Sequence, residues 1–306
     1  MISIIIPAYN EEKHIGPCLR SILNTDFPNT DYEIILVDNG STDRTREIAE
    51  QFNVRIFTTP DKNISGLRNL GAEHANGEIL AFIDADCLAT PQWLKNASYH
   101  IQNNKLAAWG APPEIPDNPT WVQNAWFSIR KNEAEIEYVN WLESMNLFVR
   151  KDYFTNIGGF NESLVTCEDV DFCYRIGRYG KILSDTSIKT IHLGEAHDVK
   201  TFFAKELWRG QSNLQGLWSH GLRRQELPSL MVPVYFGVFI PILMLISGIL
   251  GNTYILMIAF FLIFFPAMGV IYKKKKNLDI HLMFNLFLLL QVYFVARTVA
   301  VVKKTI

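Results

Sequence analysis

Between Glu226 and Lys273 the chain carries no charged side chain at all. A stretch of that length without Asp, Glu, Lys or Arg is foreign to the surface of a water-soluble domain, and it divides the chain into a soluble part and a membrane part. Within it, Ser229 to Leu250 and Thr253 to Tyr272 are each long enough to cross a bilayer. Only Gly251-Asn252 lies between them, so they read as a hairpin. Arg223-Arg224 before the hairpin and Lys273 to Lys276 after it are basic, and the positive-inside rule assigns both flanks, and the soluble domain with them, to the cytoplasm. A third apolar stretch, Ile280 to Val302, is interrupted by Gln291 and Arg297 and followed by Lys303-Lys304. It is expected to span with Arg297 snorkelling, although that leaves those lysines on the wrong side for the charge rule; an in-plane or helix-packed segment is the alternative.

The soluble part carries its charges throughout. With 29 basic against 31 acidic residues the chain has no polyelectrolyte signature, which argues against a nucleic-acid partner. Cys18, Cys87, Cys167 and Cys173 have neither zinc-ligand spacing nor the density of a disulfide framework, so reduced thiols are expected. The first residues already follow a strand pattern and lack the basic region and cleavage site of a signal peptide, so export of the soluble part is not expected.

Ile2 to Ile6 is an apolar run closed by Pro7 and followed by helix-compatible sequence from Glu11 to Leu23. Tyr32 to Val37 and Ser41 to Gln51 repeat that order, then Val54 to Thr58, Ile64 to Ala75 and Glu78 to Ile83. Strands alternating with helices predict parallel strands joined by crossovers, a doubly wound α/β unit whose ligands bind at the carboxyl ends of the strands. Those ends are polar: Tyr9-Asn10-Glu11-Glu12, Asp38-Asn39-Gly40-Ser41-Thr42-Asp43 and Asp84-Ala85-Asp86. A loop with a helix cap accounts for Ser41 or Thr42 but not for Asp38 falling level with Asp84. Two acids closing a buried strand repel each other, which a divalent cation or polar ligand between them would relieve.

Four segments in order, Ser3 to Glu12, Asp38 to Asp43, Gly66-Leu67-Arg68-Asn69-Leu70-Gly71 and Phe82-Ile83-Asp84-Ala85-Asp86, resemble the successive motifs of family 2 glycosyltransferases with the GT-A fold. The resemblance extends to Met145 to Arg150, Gly158-Gly159-Phe160 and Glu168-Asp169-Val170-Asp171. It implies a Rossmann-like nucleotide-diphospho-sugar transferase domain over residues 1–198, then an interfacial segment at 199–228 and a membrane domain at 229–306.

The same resemblance implies the roles. Pro7, Ala8, Tyr9, Glu11 and Asp38 would contact the base and ribose of the donor, with Arg68 near the base or diphosphate. Asp86, with Asp84 in a less direct part, would hold Mg2+ or Mn2+ against the diphosphate, and His192 is a further candidate ligand. Asp169 would be the general base of a single inverting displacement, with Glu168 orienting it or the acceptor. Arg209, in Trp208-Arg209-Gly210, faintly resembles an arginine that closes the donor site in membrane-bound synthases. Asp171 and Arg175, four apart on one helix, are placed to pair with each other.

Two segments remain open at this level. The proline-rich Ala111 to Pro119 and the aromatic residues Trp121, Trp126 and Trp141 suit an acceptor-binding loop, or equally helix core for Trp121 and Trp126. Val199 to Leu222 mixes Phe202, Phe203, Leu207, Trp208, Leu214 and Trp218 with Lys200, Lys205 and Arg209 at helical spacing, the pattern of an interfacial helix or of one packed on the catalytic domain. The expected activity is transfer of a sugar from a UDP- or GDP-sugar to a lipid-linked or membrane-presented hydroxyl. The alternatives are a flippase-like transport component that only binds a sugar nucleotide, and a processive polysaccharide synthase.

Overall fold

The computed structural model describes residues 1–130, 134–212, 227–274 and 278–305. Leu214, Trp218, Arg223, Arg224, Lys275 and Lys276, and with them residues 213–226 of the expected interfacial segment, lie outside those residues. The chain divides into two compact units: Met1–Pro116 with Asn132–Gly194, and Asp117–Lys131 with Glu195–Ile306.

The first unit starts with β1 (Ile2–Ala8), α1 (Ile15–Leu23), β2 (Tyr32–Asp38), α2 (Thr45–Ala49), β3 (Arg55–Thr58), α3 (Ile64–Glu73) and β4 (Ile79–Ile83). These four strands are parallel, as the alternating pattern predicts. β1 is buried on both faces: Ile4 and Ile6 face the cluster that holds Leu19 and Ile22 of α1, whereas Ile5 faces the one that holds Leu67 of α3. A Cβ at Gly71 would stand 2.5 Å from Ile5 Cγ2, so α3 needs glycine there to seat on the strand. β1 runs past Pro7 rather than closing at it. Its register with β4 stops at Ile5 and Phe82, so the missing Pro7 N–H falls where only β2 is alongside.

α1 and α2 start later than the periodicity predicts because the polar residues before them are occupied elsewhere. Glu11 N–H donates to Thr45 Oγ1 (2.6 Å), Glu12 N–H to Asp43 Oδ2 (3.0 Å) and Thr42 N–H to Asn10 Oδ1 (2.8 Å). After β5 (Cys87–Ala89), α4 (Trp93–Ser98) and β6 (Leu106–Gly110) the chain leaves this unit for α5 (Trp121–Arg130). It returns for β7 (Ile136–Val139), β8 (Asn146–Arg150), α6 (Lys151–Asn156), α7 (Glu168–Ile176), β9 (Lys181–Asp185) and β10 (Thr190–His192). The eight-stranded sheet has the order β3-β2-β1-β4-β8-β6-β9-β7, with β8 antiparallel to β4, so the sheet is mixed beyond its parallel half.

The second unit gathers α5, α8 (Val199–Arg209) and the apolar helices. Among the described residues three helices are long and apolar enough to cross a membrane: Leu230–Leu250, Thr253–Lys274 and Ile280–Val301. The first contains a π turn, Tyr235–Phe239, just ahead of Pro241, which has no N–H to return to the preceding turn. Gly251, at φ 60°, ends it in the left-handed conformation before the second begins. Trp126 packs in the core, its ring 4.9 Å from Phe202 and 5.3 Å from Tyr293, while Trp121 is exposed. Arg297 does not snorkel. Its Nη2 and Nε donate to Glu206 Oε2 at 2.8 and 3.1 Å, and Glu206 is fully buried.

Candidate active site

The carboxyl ends of β1, β2 and β4 lie along one edge of the sheet, with Ala8 opposite Asp38. Asp38 is buried and accepts from the Gly40 and Ser41 N–H groups (both 3.1 Å to Oδ2) and from the Ser41 hydroxyl. Its carboxylate thus fixes the loop after β2. Asn10 N–H donates to Ser41 Oγ (2.9 Å), which ties the loop after β1 to the loop after β2. Pro7 and Ala8 are buried in β1, whereas Tyr9 is exposed. Glu11 takes the His14 ring at 2.7 Å; burial holds its carboxyl above the usual range, His14 draws it back and the Asp86 charge adds to the rise.

Asp84 and Asp86 turn to different partners. Asp84 Oδ1 accepts from Arg68 Nη2 at 2.7 Å, and Arg68 Nη1 donates to Glu168 Oε1 at 2.9 Å. Arg68 is only 2% exposed, far from a solvated helix arginine, and sits 5.5 Å over the Phe160 ring. One guanidinium, planar and permanently charged, therefore joins the acid at the end of β4 to the acid that opens α7. Burial opposes its charge, but Asp84 and Glu168 together hold its pKa above the ordinary arginine value.

Asp86 faces His192. β5 and β10 form a two-stranded antiparallel ribbon in which His192 is opposite Cys87, and Leu193 N–H donates to the Asp86 carbonyl at 2.9 Å. The register brings His192 Nε2 within 3.2 Å of Asp86 Oδ2. The ligand atoms of Asp86, Cys87 and His192 all lie within 4.8 Å of one another. Carboxylate oxygen suits Mn2+ or Mg2+, and the imidazole nitrogen fits the softer Mn2+ better, while burial and then the Asp86 charge push the Cys87 thiol up and keep it protonated. A Cβ on Gly194 would stand 1.9 Å from Asp86 Oδ2 and 3.0 Å from His192 Nε2. The residue at 194 must be glycine to leave that corner open.

α7 opens with Glu168 and Asp169, and Cys167 precedes it at φ 64°. Burial first, then the charges of Glu168 and Glu143, push the Asp169 carboxyl up to about 8. Its Oδ1 also accepts from the Val170 N–H at 2.8 Å. Two residues on, Asp171 pairs with Arg175 at 2.8 Å, as their spacing predicts. Arg209 belongs to the second unit, where it pairs with Glu206 at 2.7 Å and lies 3.8 Å from Glu195. Glu143, Gly194 and the pairing of Cys87 with His192 leave no mark in the sequence. The first two sit in no periodic element, and only the β5 and β10 register reveals the third.

This order of strands, with paired acids closing β4 and opening α7, can be set against known proteins. The profile described as Glycosyl transferase family 2 matches residues 3–160, just over half of the chain. The chain belongs to that family. Among the relatives of this family 2 chain is the glycosyltransferase AglE of Haloferax volcanii, 34% identical over 183 residues that cover 57% of this chain and 60% of AglE. The dolichyl N-acetyl-alpha-D-glucosaminyl phosphate 3-beta-D-2,3-diacetamido-2,3-dideoxy-beta-D-glucuronosyltransferase of Methanococcus voltae is 35% identical over 102 residues, covering 31% of this chain and 32% of that one. The family 2 chain thus spans less than two thirds of either relative. Among solved structures, the mannosyltransferase PcManGT of Pyrobaculum calidifontis, in complex with GDP-Man and Mn2+, superposes with a TM-score of 0.62 over 99% of this chain and 86% of its own. At 19% identity that likeness establishes the shared fold.

Proposed function

We propose that the chain is an inverting glycosyltransferase that moves a sugar from a UDP- or GDP-sugar to a hydroxyl of a lipid-linked acceptor at the membrane. The observation that carries this reading is Arg68, which ties Asp84 to Glu168 and so joins the donor corner to the helix that carries the base. Family membership and the apolar helices support it, as do the dolichyl phosphate named for one relative and the GDP-Man bound by a structural neighbour. The basic Lys273 and Lys274 at the end of the hairpin support a cytoplasmic soluble unit, the compartment where sugar nucleotides are made.

In this mechanism Asp38 and the tied loops after β1 and β2 seat the nucleoside. Asp86 and His192 would hold Mn2+ or Mg2+, which when bound offsets the charge of the departing diphosphate. Asp169 takes the proton of the acceptor hydroxyl as its oxygen attacks the anomeric carbon. The bond to the diphosphate breaks on the opposite face, and the configuration inverts. A carboxyl held near 8 is well matched to that proton, because the base works best when its pKa lies near the working pH. Glu168, anchored by Arg68, keeps Asp169 oriented.

Purified protein in detergent, given nucleotide sugars, Mn2+ and a polyprenyl-phosphate-linked acceptor, tests the reading. Asp169→Asn is expected to lower transfer about 10²–10⁴-fold while donor binding survives. Asp86→Ala is expected to lose the metal-dependent part of donor binding. Full transfer by Asp169→Asn would remove the assigned base, and donor affinity of Asp86→Ala that still responds to chelator would remove the assigned metal ligand.

A further inference from the structure

The third apolar helix, Ile280–Thr305, differs from the other two in what surrounds it: 33% of its candidate span is buried, against 11% in each of the others. We propose that it does not cross the bilayer but lies in the membrane plane, on the side that carries Leu230 and Lys274, with the lipid acyl layer as its partner.

The hairpin measures depth. Its helices meet at Gly251-Asn252, so position along either one, at 1.5 Å per residue, gives the distance from that turn. Phe264, about 18 Å from the turn, has its ring 5.5 Å from Phe287. Phe236, about 22 Å from the turn, stacks on Phe294 at 5.0 Å. Gly237, about 21 Å from it, has Thr298 Cγ2 3.1 Å from where a Cβ would sit. Phe287 and Thr298 are about 16 Å apart along their own helix, yet their partners differ in depth by only about 3 Å. A helix crossing beside the hairpin would bring Thr298 close to the turn. Only a path crosswise to the hairpin meets all three contacts.

The opposite flank agrees. A Cβ at Gly210, just past α8, would stand 2.6 Å from Ala300 Cβ, and Glu206 of α8 holds Arg297. If this helix spanned, α8 with Lys200, Lys205, Glu206 and Arg209 would follow it into hydrocarbon, where each charge costs several kcal/mol. The exposed large apolar residues Ile280, Phe284, Leu288, Val295 and Val299 recur at helical spacing as one stripe, which suits a helix resting in the acyl layer. An in-plane course also returns Lys303 and Lys304 to the side of Lys273 and Lys274, in accord with the charge rule that a span would break.

The test uses the whole chain in sealed vesicles of both orientations. Lys304→Cys, Lys274→Cys and Asn252→Cys are labelled with a membrane-impermeant maleimide, and wild type supplies the background of its native thiols. Lys304→Cys is expected to label in the same vesicle orientation as Lys274→Cys and opposite to Asn252→Cys; labelling with Asn252→Cys overturns the proposal. Nitroxides at the exposed positions Phe284→Cys and Val299→Cys give a second reading by power saturation with oxygen and a water-soluble relaxant. They are expected at matching depths. A difference approaching the roughly 22 Å between them along the helix would mean that the helix crosses.

Discussion

Each unit holds one fully desolvated ion between two partners of opposite charge, and the two arrangements mirror each other. In the first, Arg68 is the cation between Asp84 and Glu168; in the second, Glu206 is the anion between Arg209 and Arg297. The surroundings differ. The charge of Arg68 also reaches Asp169, a carboxyl that burial holds up to about 8 and that this guanidinium draws back down. Around Glu206 the pairs extend to Glu195, which holds Arg130 and lies 3.8 Å from Arg209, so three guanidiniums share two carboxylates. An ion beside a carboxyl with a raised pKa is placed to tune a reacting group, whereas pairs that link α5, α8 and the third apolar helix serve to join them. Removing the central ion of each is the strongest way to break this comparison. Arg68→Met is expected to abolish transfer and lower stability by about 3 kcal/mol, because two carboxylates that are 24% and 12% exposed lose their cation. Donor turnover and a detergent melting curve read the two effects, and retained turnover would mean that Arg68 only braces the fold.

Glu206→Gln strands two guanidiniums in the second unit and is expected to cost about 3 kcal/mol. The predicted difference lies in activity: the melting temperature falls, but turnover per folded molecule stays within about two-fold. A loss as deep as that of Arg68→Met would mean that the second unit also supplies donor-site groups, the role the resemblance implies for Arg209.

The unequal legibility of the two networks has a physical origin. The parallel half of the sheet was readable because continuous apolar runs such as Ile2 to Ile6 and Ile79 to Ile83 are buried on both faces, and Asp38, Asp84 and Asp86 stood out as acids closing such runs. Met145 to Arg150 entered only through the family resemblance, and the antiparallel course of β8 leaves no mark in composition, since direction comes from pairing. Arg68 joins residues 16 and 100 positions away, and Glu206 finds Arg297 91 positions away. Such partnerships leave no local signal. Arg297 looked like a snorkelling residue because an arginine in an apolar stretch needs a polar neighbour; sequence could state the need but not the carboxylate that meets it.

The raised carboxyl of Asp169 sharpens the comparison through pH. In its proposed role as base Asp169 works deprotonated, so transfer is expected to rise with pH through about 8. Glu143→Gln removes one of the charges that hold the proton on and is expected to move this limb to lower pH, with the plateau rate changed little. Stability runs the other way. A carboxyl whose folded pKa is raised contributes most below its unfolded value, near 4, and that contribution is lost as pH rises through the folded pKa. Asp169→Asn is therefore expected to flatten the decline in melting temperature between about pH 4 and 8. An unchanged decline in that variant would assign it to another group.

The smallest expected effect marks the limit of the argument from charge pairs. Arg46 and Glu50 pair at 2.9 Å four residues apart, with side chains 58% and 55% exposed. The geometry is as good as that around Arg68 or Glu206, so distance alone would predict equal importance. Water separates the cases: an exposed pair gains little in high dielectric and gives up side-chain freedom to form, and such pairs contribute about 0.3–0.5 kcal/mol on a helix. Arg46→Ala is expected to shift the melting temperature by less than about 2 °C, a few tenths of a kcal/mol at this size, and to leave transfer unchanged. If it instead matched Glu206→Gln in stability, burial would not be what distinguishes the networks of Arg68 and Glu206 from surface pairs.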